Sequence, residues 1–242
     1  SEQELNNVID KITTFEAANG EDWQHNISFI ADNIPDSAGD FIASSEAIIN
    51  NHLAPGYNPI RIYQNDYGCP SSGSAACKAV TNAITSTINT TGTLFVNYTG
   101  HGANSLWGDN ILNINHIATL NNATQPSIFL EMTCLTGYWI HTDPSRSSLA
   151  VQLLPHQGGG AVSTFSPTGL GVGLGHDQLQ IGFYDAIFKS GVKNLGAATL
   201  AAKLNLFQAG FSRDLIHTYT IFGDPALSIP INHTIYLPSV FK

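Results

Sequence analysis

Apolar residues open the chain at helical spacing: Leu5, Val8, Ile9, Ile12 and Phe15 recur every three or four positions. Ser1 and Glu4 stand ahead of them as a capping box, and Gly20 marks the stop. The pattern then changes to short apolar runs. "NISFIAD" (26–32) predicts a strand ending at Asp32, residues 40–53 a helix, and "PIRIY" (59–63) a second strand. A Gly/Ser/Pro loop leads to a helix over 75–88, then a strand ending near Tyr98, a short helix around 112–120 and a strand ending near Thr133. A helix near 145–154, the strand "GGAVSTF" (159–165) and helices over 176–189 and 195–208 complete the series. Strands alternate with helices, and several strands are apolar throughout. That combination predicts an α/β domain: an open, mostly parallel sheet with helices on both faces. No repeat or low-complexity tract interrupts it. Residues 1–230 are read as one domain and 231–242 as an extended C-terminal tail or linker, with other modules of the same precursor as potential partners.

Composition narrows the function classes. Net charge is −9, yet charged residues make up only 11% of the 242, against roughly 25% in an ordinary soluble domain. The polar surface is therefore carried by Ser, Thr, Asn and Gln. Nine Lys plus Arg in an acidic chain offer no footprint for nucleic acid. No apolar run reaches the roughly 18 residues of a membrane span. The chain starts at Ser1 without Met or an apolar leader, so a mature or excised fragment is expected. Among three cysteines, Cys69 and Cys77 flank "GCPSSGSAACK" and are expected to close it as a disulfide. Cys134 is left over. Five Asn-X-Ser/Thr triplets are read as chance, because those at Asn26 and Asn97 fall inside predicted strands.

Three predicted strands end on chemistry: Asp32, His101 and Cys134. In open α/β sheets ligands bind at the carboxyl ends of the strands, so neighbouring strands would bring these three to one rim. An imidazole beside a thiol favours the nucleophilic thiolate, and a carboxylate can orient the ring. The glycines flanking His101 leave the backbone open to approach. Backbone N–H groups of Gly102 and Cys134 are candidates for an oxyanion hole.

An apolar strand ending in His-Gly, followed by one ending in Cys, resembles the caspase-like cysteine peptidases (clan CD). "ELNNVIDKITTFE", "FVNYTGHG", Trp107 and "FGDPAL" (222–227) are similar to the catalytic region of the gingipain family, and the resemblance runs from about residue 4 to 229. It implies a caspase-like fold and a cysteine endopeptidase, with Cys134 as nucleophile, His101 as its base and acid, and Asp32 as the assisting acidic residue. It also places Trp107 by the substrate pocket. Two departures stand out: the resemblance is expected to cover the catalytic half only, without the subdomain that precedes it in gingipains, and the glycine-rich stretch "FSPTGLGVGLGHDQL" differs in length. Residues after the "GGAVSTF" strand are expected to line the pocket for the side chain before the scissile bond. Two readings stay open there. If the loop folds back, Asp177 enters the pocket and the enzyme cuts after Arg or Lys. If Asp177 only complements a helix dipole, Ser166 and Thr168 line a small pocket instead.

The remaining polar residues have plainer readings. Glu131, three before Cys134, points to the other face of its strand and is structural. Asp36 and Asp40 admit a structural calcium ion, although solvated turn residues explain them as well. His176 lacks the HExxH or CxxC spacing of a zinc site, and no metal is expected there. The chemistry requires no cofactor. Taken together, the residues and the resemblance predict a secreted or cell-surface thiol endopeptidase acting on protein or peptide substrates. The alternatives are a non-catalytic binding or assembly module that keeps the fold, and a transpeptidase-type ligase that passes the acyl group to an amine.

Overall fold

Helix α1 (Glu2–Ala17) starts where the capping box places it: the Ser1 side chain accepts from the Glu4 N–H and the Glu4 side chain bonds back to Ser1. The computed structural model describes residues 1–33, 35–69, 77–141, 143 and 147–231. The loop interior between Cys69 and Cys77 and the tail beyond residue 231 lie outside the described residues. Strands β1 (Asn26–Ala31), β2 (Asn58–Tyr63), β3 (Phe95–Thr99), β6 (Ser127–Met132), β7 (Ala161–Pro167) and β8 (Tyr219–Phe222) form one sheet in the order β2-β1-β3-β6-β7-β8. The first five run parallel, and β8 joins the edge antiparallel to β7. The short strands β4 (Gly102–Ala103) and β5 (Leu106–Trp107) make a separate antiparallel pair just past the end of β3. Sequence patterning predicts neither that pair nor β8, because two or four residues are too few to show a period.

Side-chain alternation splits the interior in two. Phe95 of β3, with Ile128, Leu130 and Met132 of β6, faces helices α1, α2 (Phe41–Asn51), α6 (Gly173–Phe188) and α7 (Leu195–Ala209). Val96, Tyr98 and Phe129 face α3 (Lys78–Ser86), α4 (Ile114–Ile117) and α5 (Leu149–Leu153). Helix α8 (Asp214–Thr218) leads directly into β8. The central strands β3 and β6 are buried at every position, the polar Asn97, Thr99, Ser127 and Glu131 included, so neither shows the polar-out alternation of a half-exposed strand. Each buried large side chain contributes roughly 1.5–3 kcal/mol, so register slips in these strands are strongly disfavoured. None of the described helices is long and apolar enough to cross a membrane. Cys69 and Cys77 lie at disulfide distance, with Cα atoms 4.7 Å apart.

Candidate active site

Parallel register brings the three strand ends together. Ala31 of β1 pairs with Thr99, and Thr99 pairs with Met132 of β6. His101 and Cys134 therefore each lie two residues past the last pair on adjacent strands. Close packing explains the glycines around His101. A Cβ on Gly100 would come within 2.5 Å of both Asp32 Cβ and Tyr98 Oη, and one on Gly102 within 2.3 Å of Thr133 Oγ1 and 3.2 Å of the Cys134 carbonyl oxygen. The two candidate catalytic segments thus pack on one another. Thr99–Gly100 also ties to β6 through the Gly100 N–H, which donates to Met132 O at 3.2 Å.

The chain turns sharply beyond the nucleophile candidate. Leu135 takes φ +60°, a conformation that a branched side chain adopts only under strain. Its N–H donates to Gly169 O (3.0 Å), and the Gly137 N–H to Pro167 O (2.8 Å), so the turn is pinned to the end of β7 and the residues just past it. Cys134 is the free cysteine and is half-buried. Its Sγ accepts from the Gly171 N–H at 3.4 Å and contacts Gly171 O at 3.7 Å. Among the described residues no hydrogen bond joins Sγ to the His101 ring. Such contacts are often looser without substrate than in the reacting complex.

The carboxylate on the ring is not the expected one. Asp32 Oδ2 accepts from the backbone N–H of His101 (2.9 Å) and Oδ1 from that of Asn33 (2.8 Å), so Asp32 holds the peptide rather than the imidazole. Burial raises its pKa above the ordinary value, and those two N–H donors oppose the shift. Asp36 takes the ring instead, with Oδ2 at 2.8 Å from His101 Nε2. That hydrogen bond holds the Asp36 carboxyl below its ordinary value. Phe41 packs on the imidazole edge-on, with centroids 5.3 Å apart.

Two residues expected at the pocket lie in the interior. Trp107 is wholly buried, stacked on Tyr98 at 4.3 Å, and its Nε1–H donates to Glu131 Oε1 at 2.8 Å. Ser166 is equally buried and donates to Glu131 Oε2. Both saturate a carboxylate on the interior face of β6, where burial raises its pKa and the two donors oppose it. Neither side chain can line a surface pocket. Thr168 is half-buried, with its hydroxyl donating to Thr218 O.

A cleft of about 390 Å³ opens behind Phe41, the residue that packs on His101; Ser37, Asp40, Thr99, Leu174 and Asp177 help to line it, and neither His101 nor Cys134 does. Asp177 therefore does face a cleft, one formed between α2 and α6. Its Oδ1 has no hydrogen-bond partner among the described residues, and burial raises its pKa, opposed by the Ser44 side chain. Asp40 caps α2 through the Ala43 N–H at 2.9 Å. No group of three or more His, Cys, Asp or Glu suited to a metal ion occurs among the described residues, and Asp36 and Asp40 are engaged with His101, Ala38 and Ala43. Sequence reasoning missed the contacts of Asp36 with the His101 ring, of Gly171 with Cys134 and of His176 with Gly171, and only the alternating glycines of 169–175 hinted at a close approach there.

Fold and rim define a class: a caspase-like α/β domain whose central parallel strands end on a histidine and a cysteine. Residues 1–230 match the profile of peptidase family C25, and the chain belongs to that family of cysteine peptidases. Gingipain R2 of Porphyromonas gingivalis is 24% identical over 149 residues, covering 57% of this chain and 20% of the relative. Lys-gingipain W83 of the same organism is 22% identical across 99% of this chain and 15% of its own length. The crystal structure of the Arg-specific cysteine proteinase gingipain R superposes with a TM-score of 0.76 at 22% identity, covering 95% of this chain and 53% of that one. The chain thus spans about half of that solved structure and a fifth or less of the curated relatives.

Proposed function

We propose that the chain is an endopeptidase that hydrolyses peptide bonds through Cys134 and His101. One observation carries the reading: in-register parallel pairing sets both residues two positions past Thr99 and Met132, with Gly102 packed on the Cys134 carbonyl. Cys134 Sγ attacks the scissile carbonyl carbon while His101 takes the thiol proton. His101 then gives that proton to the leaving amine as the C–N bond breaks, which leaves a thioester. Water, deprotonated by the same imidazole, attacks the thioester and releases the carboxylic acid and the thiol. The N–H groups of Gly102 and Cys134 are the candidates to receive the developing oxyanion. Asp36 orients the ring, and Asp32 fixes the backbone that carries it.

The cleft behind Phe41 supports specificity for a basic residue before the cut, because the side chains of Asp40 and Asp177 both belong to its lining. Among the similar proteins, one is described as Arg-specific and another is named Lys-gingipain. A secreted or cell-surface location fits the low charge and the Cys69–Cys77 pair. The test is digestion of a diverse peptide pool with sequencing of the cut sites. Cys134→Ala should abolish cleavage, and His101→Ala should lower kcat by about 10²–10⁴-fold. Undiminished cleavage by Cys134→Ala would sink the assignment. Binding without turnover by the wild type would favour a non-catalytic module, and coupling to an added amine a ligase.

A further inference from the structure

Below the loop that touches the thiol sits a histidine that the reaction does not use. His176, in the first turn of α6, is 3% exposed, and its Nε2 has no hydrogen-bond partner among the described residues. The ring lies directly against Gly171: a Cβ placed on that glycine would come within 2.4 Å of Nε2 and 3.0 Å of Cε1. Gly171 is the residue whose N–H and C=O meet Cys134 Sγ. The imidazole also meets Tyr219 edge-on, with centroids 5.7 Å apart. The Tyr219 hydroxyl in turn accepts from the Thr133 N–H (3.3 Å) and donates to Glu131 O (3.0 Å), on the strand end that carries Cys134.

We propose that His176 is a positioning residue for Cys134, a buried planar shelf that holds the Gly171 peptide against the sulfur. The inference rests on the peptidase reading only for its consequence in turnover; the placement of the thiol stands apart from it. The physical warrant is twofold. Gly171 has no room for a side chain on the His176 side, so the gap between ring and peptide is set by direct contact. The same ring also meets Tyr219, whose hydroxyl holds the Thr133 N–H and Glu131 O on the strand that carries Cys134, so one side chain packs on both segments that set the thiol. The peptide above it is held from both directions: Gly169 O takes the Leu135 N–H, and the His176 N–H closes the turn onto Val172 O at 3.3 Å.

The experiment measures the rate of Cys134 alkylation by iodoacetamide against pH, below the melting temperature, in the whole chain. Cys134 is the single free thiol, so the signal has one source whether or not the protein cleaves peptides. Gly171→Ala should push the peptide off the ring and change the alkylation rate by about fivefold or more, the scale of one hydrogen bond to the sulfur. His176→Ala should do likewise and shift the pH midpoint. His176→Phe, which keeps a ring on the shelf, should stay close to wild type. The double variant Gly171→Ala with His176→Ala should recover part of the loss, because the new methyl then has space. On substrate, His176→Ala should lower kcat more than it raises KM. Wild-type alkylation rate and midpoint in Gly171→Ala, or a double variant no better than Gly171→Ala, would overturn the proposal. If His176→Ala fails to fold, the Gly171→Ala and His176→Phe pair decides it. Normal alkylation behaviour of this kind in a protein without peptidase activity would defeat the function reading alone.

Discussion

Two aspartates four positions apart act on one histidine in different ways. Asp36 reaches the imidazole, and Asp32 reaches the backbone beneath it. Asp36→Asn should therefore lower kcat by roughly tenfold, since the ring loses its anionic partner, and leave stability almost unchanged at an exposed position. Asp32→Asn should cost about 1–2 kcal/mol, because an amide has one acceptor oxygen where the carboxylate serves two N–H donors. Melting curves paired with kinetics check both. If Asp32→Asn lowers kcat without lowering the melting temperature, the division of roles is wrong. At this scale the sequence pointed to an acidic residue near His101, and the structure places two there, Asp32 on the backbone and Asp36 on the ring. Asp32 sits at the strand end where parallel pairing places it, and Asp36 arrives from the Asp36–Gly39 turn beyond that end.

Among the elements, α6 carries the largest consequence for pH. It docks with His176 buried, and burial lowers that imidazole's pKa from 6.5 to about 4. The unfolded chain therefore binds a proton that the fold refuses between those two values. Stability is full above pH 6.5 and falls as pH drops toward 4, by about 3 kcal/mol in total if His176 acts alone. Melting temperatures from pH 7 to 4 should follow that slope, and His176→Phe should flatten it. A slope as steep in His176→Phe as in wild type would assign the effect to other groups. The periodicity of α1, α2 and α7 was plain, as was their placement between strands. Helix α6 was placed with its first residues missed, because "GVGLGHD" is dominated by glycine. Glycine lacks helix propensity, and here tertiary packing against Ala38, Ser212 and Leu215 holds the first turn.

For the whole molecule, specificity is a product of assembly. The cleft behind Phe41 draws Ser37 to Ala47 from the start of α2 and Gly173, Leu174 and Asp177 from α6, segments more than a hundred residues apart. Arg substrates should be cleaved faster than Lys, Ala or Asn analogues, because a guanidinium can bond a carboxylate with two parallel N–H groups. Asp177→Ala should remove at least about tenfold of that preference and leave Ala substrates nearly unaffected. Equal rates for Arg, Ala and Asn substrates would discard the basic pocket while leaving the nucleophile in place. Ser166, expected in the pocket behind β7, lies in the interior for a definite reason: β7 is buried at all seven positions, and Ser166 bonds Glu131 on the neighbouring strand.

By itself the sequence determined the α/β alternation, the capping of α1, the two apolar central strands and the residues on which they end. These are local properties, set by spacing, propensity and turn chemistry within a few residues. Only the tertiary structure decided which carboxylate meets His101, that Trp107 belongs to the core, and that Gly171 and His176 stand behind the thiol. Each of these depends on which distant segments share a rim. Register and loop return set that rim, and neither leaves a periodic trace in the chain.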